Sequence, residues 1–407
     1  MGIDLASLSL FPATPEQVLE SRKRTFPQWG RGLTLDQYLR RDAAMDVHEH
    51  AKGKLTTWVL ADRADHTSLD FFCSCESFKR QALQAPKRST TAQWCVAYGI
   101  ASVYTPPRNR GRGYARHMMR LLHWVLAHGK NLPEFPVEWG MPPTRPEEVG
   151  DGLFSALWSD VGSKFYLSCG MTLESQGWEV RSPQGTIFIV EDLQRRLSSG
   201  SVLGRKVPEM TLLSPEETSF LWINDTIFIE EELSKHSSDV TRVSFAPIGG
   251  VGAYTSRRTS FFIPESDEEQ TLKHWGVKLD IEGESPTYVT WCIEVDPPPT
   301  KLLITRLRSE PRVFLELMHA VLIAAQELNM EKIEIWNLPS QLVAIAGELG
   351  GVTAFREDHL PSLAWYGPPP SSGVEWMFNE KYAVFPLGYK TVDSDARVSQ
   401  VPMVLRD

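Results

Sequence analysis

A chain of 407 residues, 42% apolar and 23% charged, has material for two or three globular domains of roughly 150 residues each. Disordered, collagenous and coiled-coil classes are excluded for its bulk. Its 42 basic and 51 acidic residues leave a formal charge of -9, which argues against nucleic acid as the main partner and favours a cationic small molecule or basic peptide.

Cys73, Cys75, Cys95, Cys169 and Cys292 form no C-x-x-C pair, so neither a disulfide framework nor a metal site is expected. No apolar run approaches the roughly 18 residues a membrane span needs. No leader pattern opens the chain, and a cytoplasmic protein without a membrane partner is expected.

Along the chain, Thr14-Pro15-Glu16-Gln17 reads as a capping box that starts a helix, and Thr34 to Gln37 repeats it. Strands are expected at 55–60, 69–75 and 93–104. Apolar Tyr114, Met118, Leu121, Leu122 and Val125 then recur at helical period. The proline-rich stretch 130–150 reads as loop, 154–157 as strand and 161–169 as helix closed by Gly170. Residues 176–181 and 186–190 read as a hairpin across Ser182-Pro183-Gln184-Gly185. A linker is expected at 197–210. A further capping box, Ser214-Pro215-Glu216-Glu217, opens the second half, where strand 301–307, helix 311–328, strand 332–336 and helix 338–349 follow. That β-α-β-α order resembles residues 95–170, so the expected domains are 1–196 and 211–407, the second a degenerate repeat of the first.

The segment that carries chemistry is Arg108-Asn109-Arg110-Gly111-Arg112-Gly113-Tyr114, between a strand and a helix. Glycines at 111 and 113 let backbone N–H groups converge, and the helix start adds positive potential. Arg108, Arg110 and Arg112 supply charge for a phosphorylated ligand. No Gly-Lys-Ser/Thr follows, and Arg116 stands where the dinucleotide fingerprint needs its third glycine, so neither of those phosphate loops is present.

Arg108-x-x-Gly111-x-Gly113 after a strand ending at Val103 resembles motif A of the GCN5-related N-acetyltransferases, with Thr105 in place of the usual proline. The resemblance implies an α/β (α+β) acyl-CoA N-acyltransferase fold with a mixed, mostly antiparallel sheet, and acetyl-CoA as cosubstrate. It assigns acetyl-CoA contacts to Val103, Thr105, Arg108, Asn109, Arg110, Gly111, Arg112, Gly113, Tyr114 and Ser159. Ser159 to Met171 resembles the family segment Asn-x-x-Ala-x-x-x-Tyr-x-x-x-Gly-Phe, with Ser159 in the asparagine slot and Met171 in the aromatic slot. Tyr166 takes the slot of the tyrosine that protonates departing coenzyme A. With Trp29 to Thr34, Cys75 to Phe78 and His274 to Val277, the layout resembles the fungal lysine N6-acetyltransferases of lysine catabolism. That implies free L-lysine as substrate, and a second α/β domain that closes the pocket.

A lysine-type ammonium, with a pKa of about 10.4, must lose a proton before it attacks a thioester. Strand 93–104 holds no carboxylate, so the base candidates are Glu76, Glu138, His48 and His50, with Glu76 preferred at a strand end. Tyr288, Trp365 and Tyr366 are candidate pocket walls. A protein-lysine acetyltransferase, an acetyltransferase of another small amine and a non-catalytic acyl-CoA-binding protein remain as alternatives.

Overall fold

Three helix starts follow their capping residues. Thr14 and Gln17 exchange hydrogen bonds at 3.0 and 3.3 Å, and Thr34 with Gln37 and Ser214 with Glu217 do the same. These boxes satisfy N–H groups that a helix start would otherwise leave open. The computed structural model describes residues 4–199, 209–235, 237–261, 274–280, 286–294, 300–368 and 373–377.

Its first half runs β1 (Leu8–Pro12), α1 (Pro15–Trp29), α2 (Leu35–Asp46), β2 (Leu55–Asp62), β3 (Cys73–Ala85), β4 (Gln93–Tyr104), α3 (Tyr114–Leu126), β5 (Gly152–Ser159), α4 (Lys164–Leu167), β6 (Glu179–Val180), β7 (Gln184–Ile189) and α5 (Val190–Ser199). The second runs β8 (Glu209–Leu213), α6 (Pro215–Lys235), β9 (Thr241–Phe245), α7 (Tyr254–Ser260), β10 (Gly276–Asp280), β11 (Thr287–Ile293), β12 (Lys301–Arg308), α8 (Phe314–Glu327), β13 (Lys332–Trp336), α9 (Ser340–Glu348), β14 (Val352–Phe355), β15 (Leu360–Trp365) and β16 (Val374–Trp376). Part of the expected linker and the tail beyond residue 377 lie outside the described residues.

Two mixed sheets result. In the first the order is β1-β2-β3-β4-β5-β15-β6, with β9 on the far end of β3 and β16 beside β9. In the second it is β14-β7-β13-β12-β11-β10-β8. Each half supplies an antiparallel run that ends in one parallel step across a helix, β4-α3-β5 and β12-α8-β13. Met118, Met119, Leu121, Leu122 and Val125 of α3 are fully buried on the first sheet. Phe314, Leu317 and Val321 of α8 do the same on the second. The expected repeat is visible as topology rather than as a repeated motif.

The halves also exchange strands. β15 from the second half lies between β5 and β6, and β7 from the first half lies between β13 and β14. The hairpin expected at 176–190 is therefore not formed. The chain does turn at Ser182, where φ is +42°, but β6 and β7 enter different sheets. Turn chemistry is local, whereas the choice of partner strand is made by distant residues. A chain cut at residue 196 would lack β15.

Candidate active site

The first sheet opens where two parallel strands part. β4 and β5 pair from Val96–Gly152 to Gly99–Ala156 and no further, although β4 continues to Tyr104 and β5 to Ser159. β4 stays bonded to β3 as far as Ser74–Tyr104, and β5 to β15 as far as Ser159–Leu360, so the separation is a wedge between two held strands. A register shift between Ser74 and Glu76 marks a bulge in β4, at which Ser102 takes φ +54°. That conformation is costly for a residue with a Cβ. It turns the Ser102 hydroxyl to donate 2.7 Å to Glu76 Oε2.

The glycine turn sits at the end of β4. Gly111 and Gly113 have φ of +73° and +79°, values only glycine adopts freely, and Gly113 is the residue before α3. No side chain caps this helix and no acid lies in its first turn, so its leading N–H groups face outward. Arg108 and Gly111-Arg112 are exposed there, with Arg108 paired to Asp70. Of the other residues expected to touch acetyl-CoA, Asn109, Arg110 and Tyr114 brace the loop. Asn109 Nδ2 donates to Phe72 O at 3.0 Å, Arg110 Nε donates to Thr105 O at 3.0 Å, and Tyr114 is buried against Phe72. Val103 is half-buried in the part of β4 that has left β5. Ser159 is occupied by its own turn, donating to Gly162 O and accepting from Val161 N. An uncapped helix start with two left-handed glycines and exposed arginines fits a pyrophosphate, and the wedge beside it fits an extended arm.

Tyr166 lies on α4, on the β5 side of the wedge, half-buried with its ring edge-on to Trp178 at 6.3 Å. Trp178 is fixed in turn by a buried chain of hydrogen bonds. Its Nε1 donates to Ser155 Oγ at 2.9 Å, Ser155 meets Tyr366 Oη, and Tyr366 meets His123 Nδ1 at 3.0 Å. His123 Nε2 reaches Cys169 O at 2.7 Å. A carbonyl only accepts and an indole N–H only donates, so both ends fix the direction: His123 carries its proton on Nε2 and Nδ1 accepts from Tyr366. Burial pulls His123 down to about 4, which keeps it neutral.

On the other face of β3 and β4 is a cavity into which Glu76 projects. Its wall includes Arg22 and Thr25 of α1, Tyr38, Arg41, Asp42 and Asp46 of α2, and Ser102 of the bulge. Tyr254 and Arg258 of α7 complete it from the second half. Arg22 Nη2 lies 2.8 Å from Asp46 Oδ1, and Arg41 Nη2 lies 2.6 Å from Asp42 Oδ1. Burial raises the Glu76 carboxyl above the usual carboxylate range, while Arg22 and the Ser102 hydroxyl oppose the rise. The free space in this cavity is about 50 Å³, room for a few water molecules.

The remaining base candidates are placed less well. Glu138 is exposed on a surface turn. His50 lines the cavity, but burial and then Arg80 pull it down to about 3, too weak a base near neutral pH. His48 faces a separate cavity with Lys54 and Arg257. The three candidate aromatic walls stand elsewhere. Tyr288 donates to Asp225 inside the second half, Tyr366 belongs to the buried chain above, and Trp365 lines a cavity with Lys87 and Lys130 where β4 and β5 begin. Sequence reasoning missed Arg22, Arg41, Asp42, Asp46, Tyr254 and Arg258. The available signal was the run of charges on the buried faces of two capped helices, which ordinary amphipathic packing does not call for.

Strands that part beside an uncapped glycine turn, with the topology repeated in a second sheet, are the arrangement of the GCN5-related N-acetyltransferase (GNAT) fold. Residues 196–385 match the family model described as LYC1 GNAT-like C-terminal domain. A lysine acetyltransferase of Yarrowia lipolytica (strain CLIB 122 / E 150) is 29% identical over 159 residues, which is 39% of this chain and 38% of that relative. The match thus spans well under half of the relative's length. A conserved protein of Enterococcus faecalis V583, described as a "Probable N-Acyltransferase", shares the fold with a TM-score of 0.51 at 11% identity, over 88% of this chain and 72% of that one. A GCN5-related N-acetyltransferase of Kribbella flavida gives 0.45 at 14% identity, with the same two coverages.

Proposed function

We propose that this protein transfers the acetyl group of acetyl-CoA to the N6 amine of free L-lysine, in the cytoplasm, as a step of lysine degradation. The observation that carries the reading is one wedge flanked by two fitted features: an uncapped glycine turn for the pyrophosphate, and a carboxylate cavity for the amine. Acetyl-CoA supplies the thioester and is bound as substrate by the first-turn N–H groups of α3, with Arg108 and Arg112 beside them. The ammonium enters the Glu76 cavity. Glu76, held above the usual carboxylate range by burial, is the better matched to take a proton.

The neutral nitrogen then attacks the thioester carbon. The C–N bond forms, the C–S bond breaks, and the thiolate takes a proton from Tyr166. The net products are the N6-acetylated amine, coenzyme A and one proton. Ser102 holds Glu76 in place through its hydroxyl. The small free space and the walls drawn from both halves favour a free amino acid over a protein tail.

The test is release of coenzyme A with free lysine, other small amines and lysine peptides. Turnover confined to free lysine supports the reading. Preference for peptides would favour a protein acetyltransferase, and acetyl-CoA binding without turnover on any amine would leave a non-catalytic binder.

A further inference from the structure

A second cavity shares His50 with the one that holds Glu76. It measures about 540 Å³, within the usual range of roughly 300–1,000 Å³ for small-molecule sites. Glu49 and Lys54 of the first half and Arg257 of the second give it a polar wall. Trp222, Ile223 and Ile248 give it an apolar one.

The walls are fixed by backbone from both halves. Lys54 Nζ donates to Gly249 O at 3.0 Å. A Cβ on Gly250 would lie 2.6 Å from His50 N, and one on Gly252 would lie 2.4 Å from the Trp222 ring. The charge inside is one-sided. Burial, then Arg257, pushes His48 down, and burial, then Arg80, pushes Lys54 down with only Glu49 opposing. Glu49 itself is exposed, and among the described residues neither Lys54 nor Arg257 has a carboxylate within ion-pair distance. A cleft with apolar walls and one sign of charge draws the opposite sign.

We propose that this cavity binds a small organic carboxylate, with its anionic end on Arg257 and Lys54 and its apolar body against Trp222, Ile223 and Ile248. A guanidinium fork matches a carboxylate, and Lys54, with one N–H given to Gly249 O, keeps two donors for the same group. The apolar wall favours a ligand with a hydrocarbon body over a bare ion. Lys54 and Arg257 come from different halves, so the ligand also ties the halves together and stabilises the folded chain. The site is separate from acetyl transfer and requires neither acetyl-CoA nor an amine.

The test titrates the full chain by calorimetry with hexanoate, with hexanamide as its uncharged counterpart and with inorganic phosphate as a bare anion. Hexanoate is expected to bind at least about tenfold more tightly than either, the lower range for a hydrogen bond to a charged group, and to raise the melting temperature. Arg257→Gln should weaken hexanoate by a similar factor, with hexanamide unchanged. Ile223→Ser alters a side chain that is 53% exposed, so the variant should fold, and it should weaken hexanoate while leaving phosphate unchanged. The melting temperature without ligand reports whether each variant folds. Equal affinity for hexanoate and hexanamide overturns the charged end, and equal affinity for hexanoate and phosphate overturns the organic ligand. An unchanged affinity in folded Arg257→Gln overturns the placement, and no binding of hexanoate overturns the site itself. None of these outcomes bears on acetyl transfer, which the release of coenzyme A tests separately.

Discussion

Replacing Ser102 by alanine probes the base without touching it. The Ser102 hydroxyl donates 2.7 Å to Glu76 Oε2 and so favours the ionised carboxylate. A hydrogen bond to a charged group is worth about 1.5–3 kcal/mol, or roughly 10- to 100-fold in an equilibrium. Both residues are half-buried, so water at the cavity wall trims the effect toward the lower figure. Without the hydroxyl, the Glu76 carboxyl rises further above its ordinary range, and less of it is ionised at a given acidic pH. On the acid side of the profile kcat/KM for lysine should fall about tenfold, while the plateau at higher pH is kept. Ser102→Gly loses the same bond but relieves the left-handed backbone at φ +54°, so it should match alanine in the profile and exceed it in stability by about 1 kcal/mol. Stopped-time measurement of coenzyme A release from pH 5 to 9 reads both effects. A lowered plateau with an unmoved acid side would refute the pairing of Ser102 with a titrating base.

Gly113→Val imposes a branched side chain at φ +79° and crowds the helix start, so the KM for acetyl-CoA should rise at least tenfold; calorimetry showing normal affinity in a folded variant would contradict the proposed cradle. Tyr166→Phe keeps the ring against Trp178 and removes the proton, and a ~10²–10⁴-fold loss of turnover is expected; a loss below about threefold, with chemistry rate-limiting, returns Tyr166 to packing alone. His123 is held near 4 against an ordinary 6.5, so its contribution to stability is complete above about 6.5 and is lost as pH falls toward 4, on the order of 3 kcal/mol in all. Thermal melts should fall with acidity across that window, and less steeply in His123→Asn; equal slopes would show that His123 does not titrate there.

What was legible in the sequence was what neighbours in the chain decide. The capping boxes at Thr14, Thr34 and Ser214 and the turn at Gly111-Arg112-Gly113 each form from residues a few positions apart. The helix expected at 161–169 shrank to Lys164–Leu167 because Gly162, at φ +77°, and the Ser159 turn occupy its start. The exchange of β7 and β15 had no local signal, since nothing in the six residues of either strand distinguishes one sheet from the other as its partner. β1, β9 and β16 have only three to five residues each, too few for a period to show. Glu76 was legible as a carboxylate at a strand end, but its cavity was not. Arg22, Asp42 and Arg258 come from three separate helices, and only the packing of the two halves brings them round one carboxylate.

The crossed strands also set a timetable for synthesis. When β5 leaves the ribosome, its neighbour β15 lies about 200 residues downstream, a wait of roughly 10–40 s at 5–20 residues per second. Until then β5 and β6 keep open edges, the kind of surface on which foreign strands assemble. In the second sheet β7 waits about 140 residues for β13 and somewhat longer for β14, so that sheet closes before the first one does. The half that carries the glycine turn is thus translated first and finished last, so a premature stop anywhere before residue 365 leaves both sheets' worth of chain without a completed site.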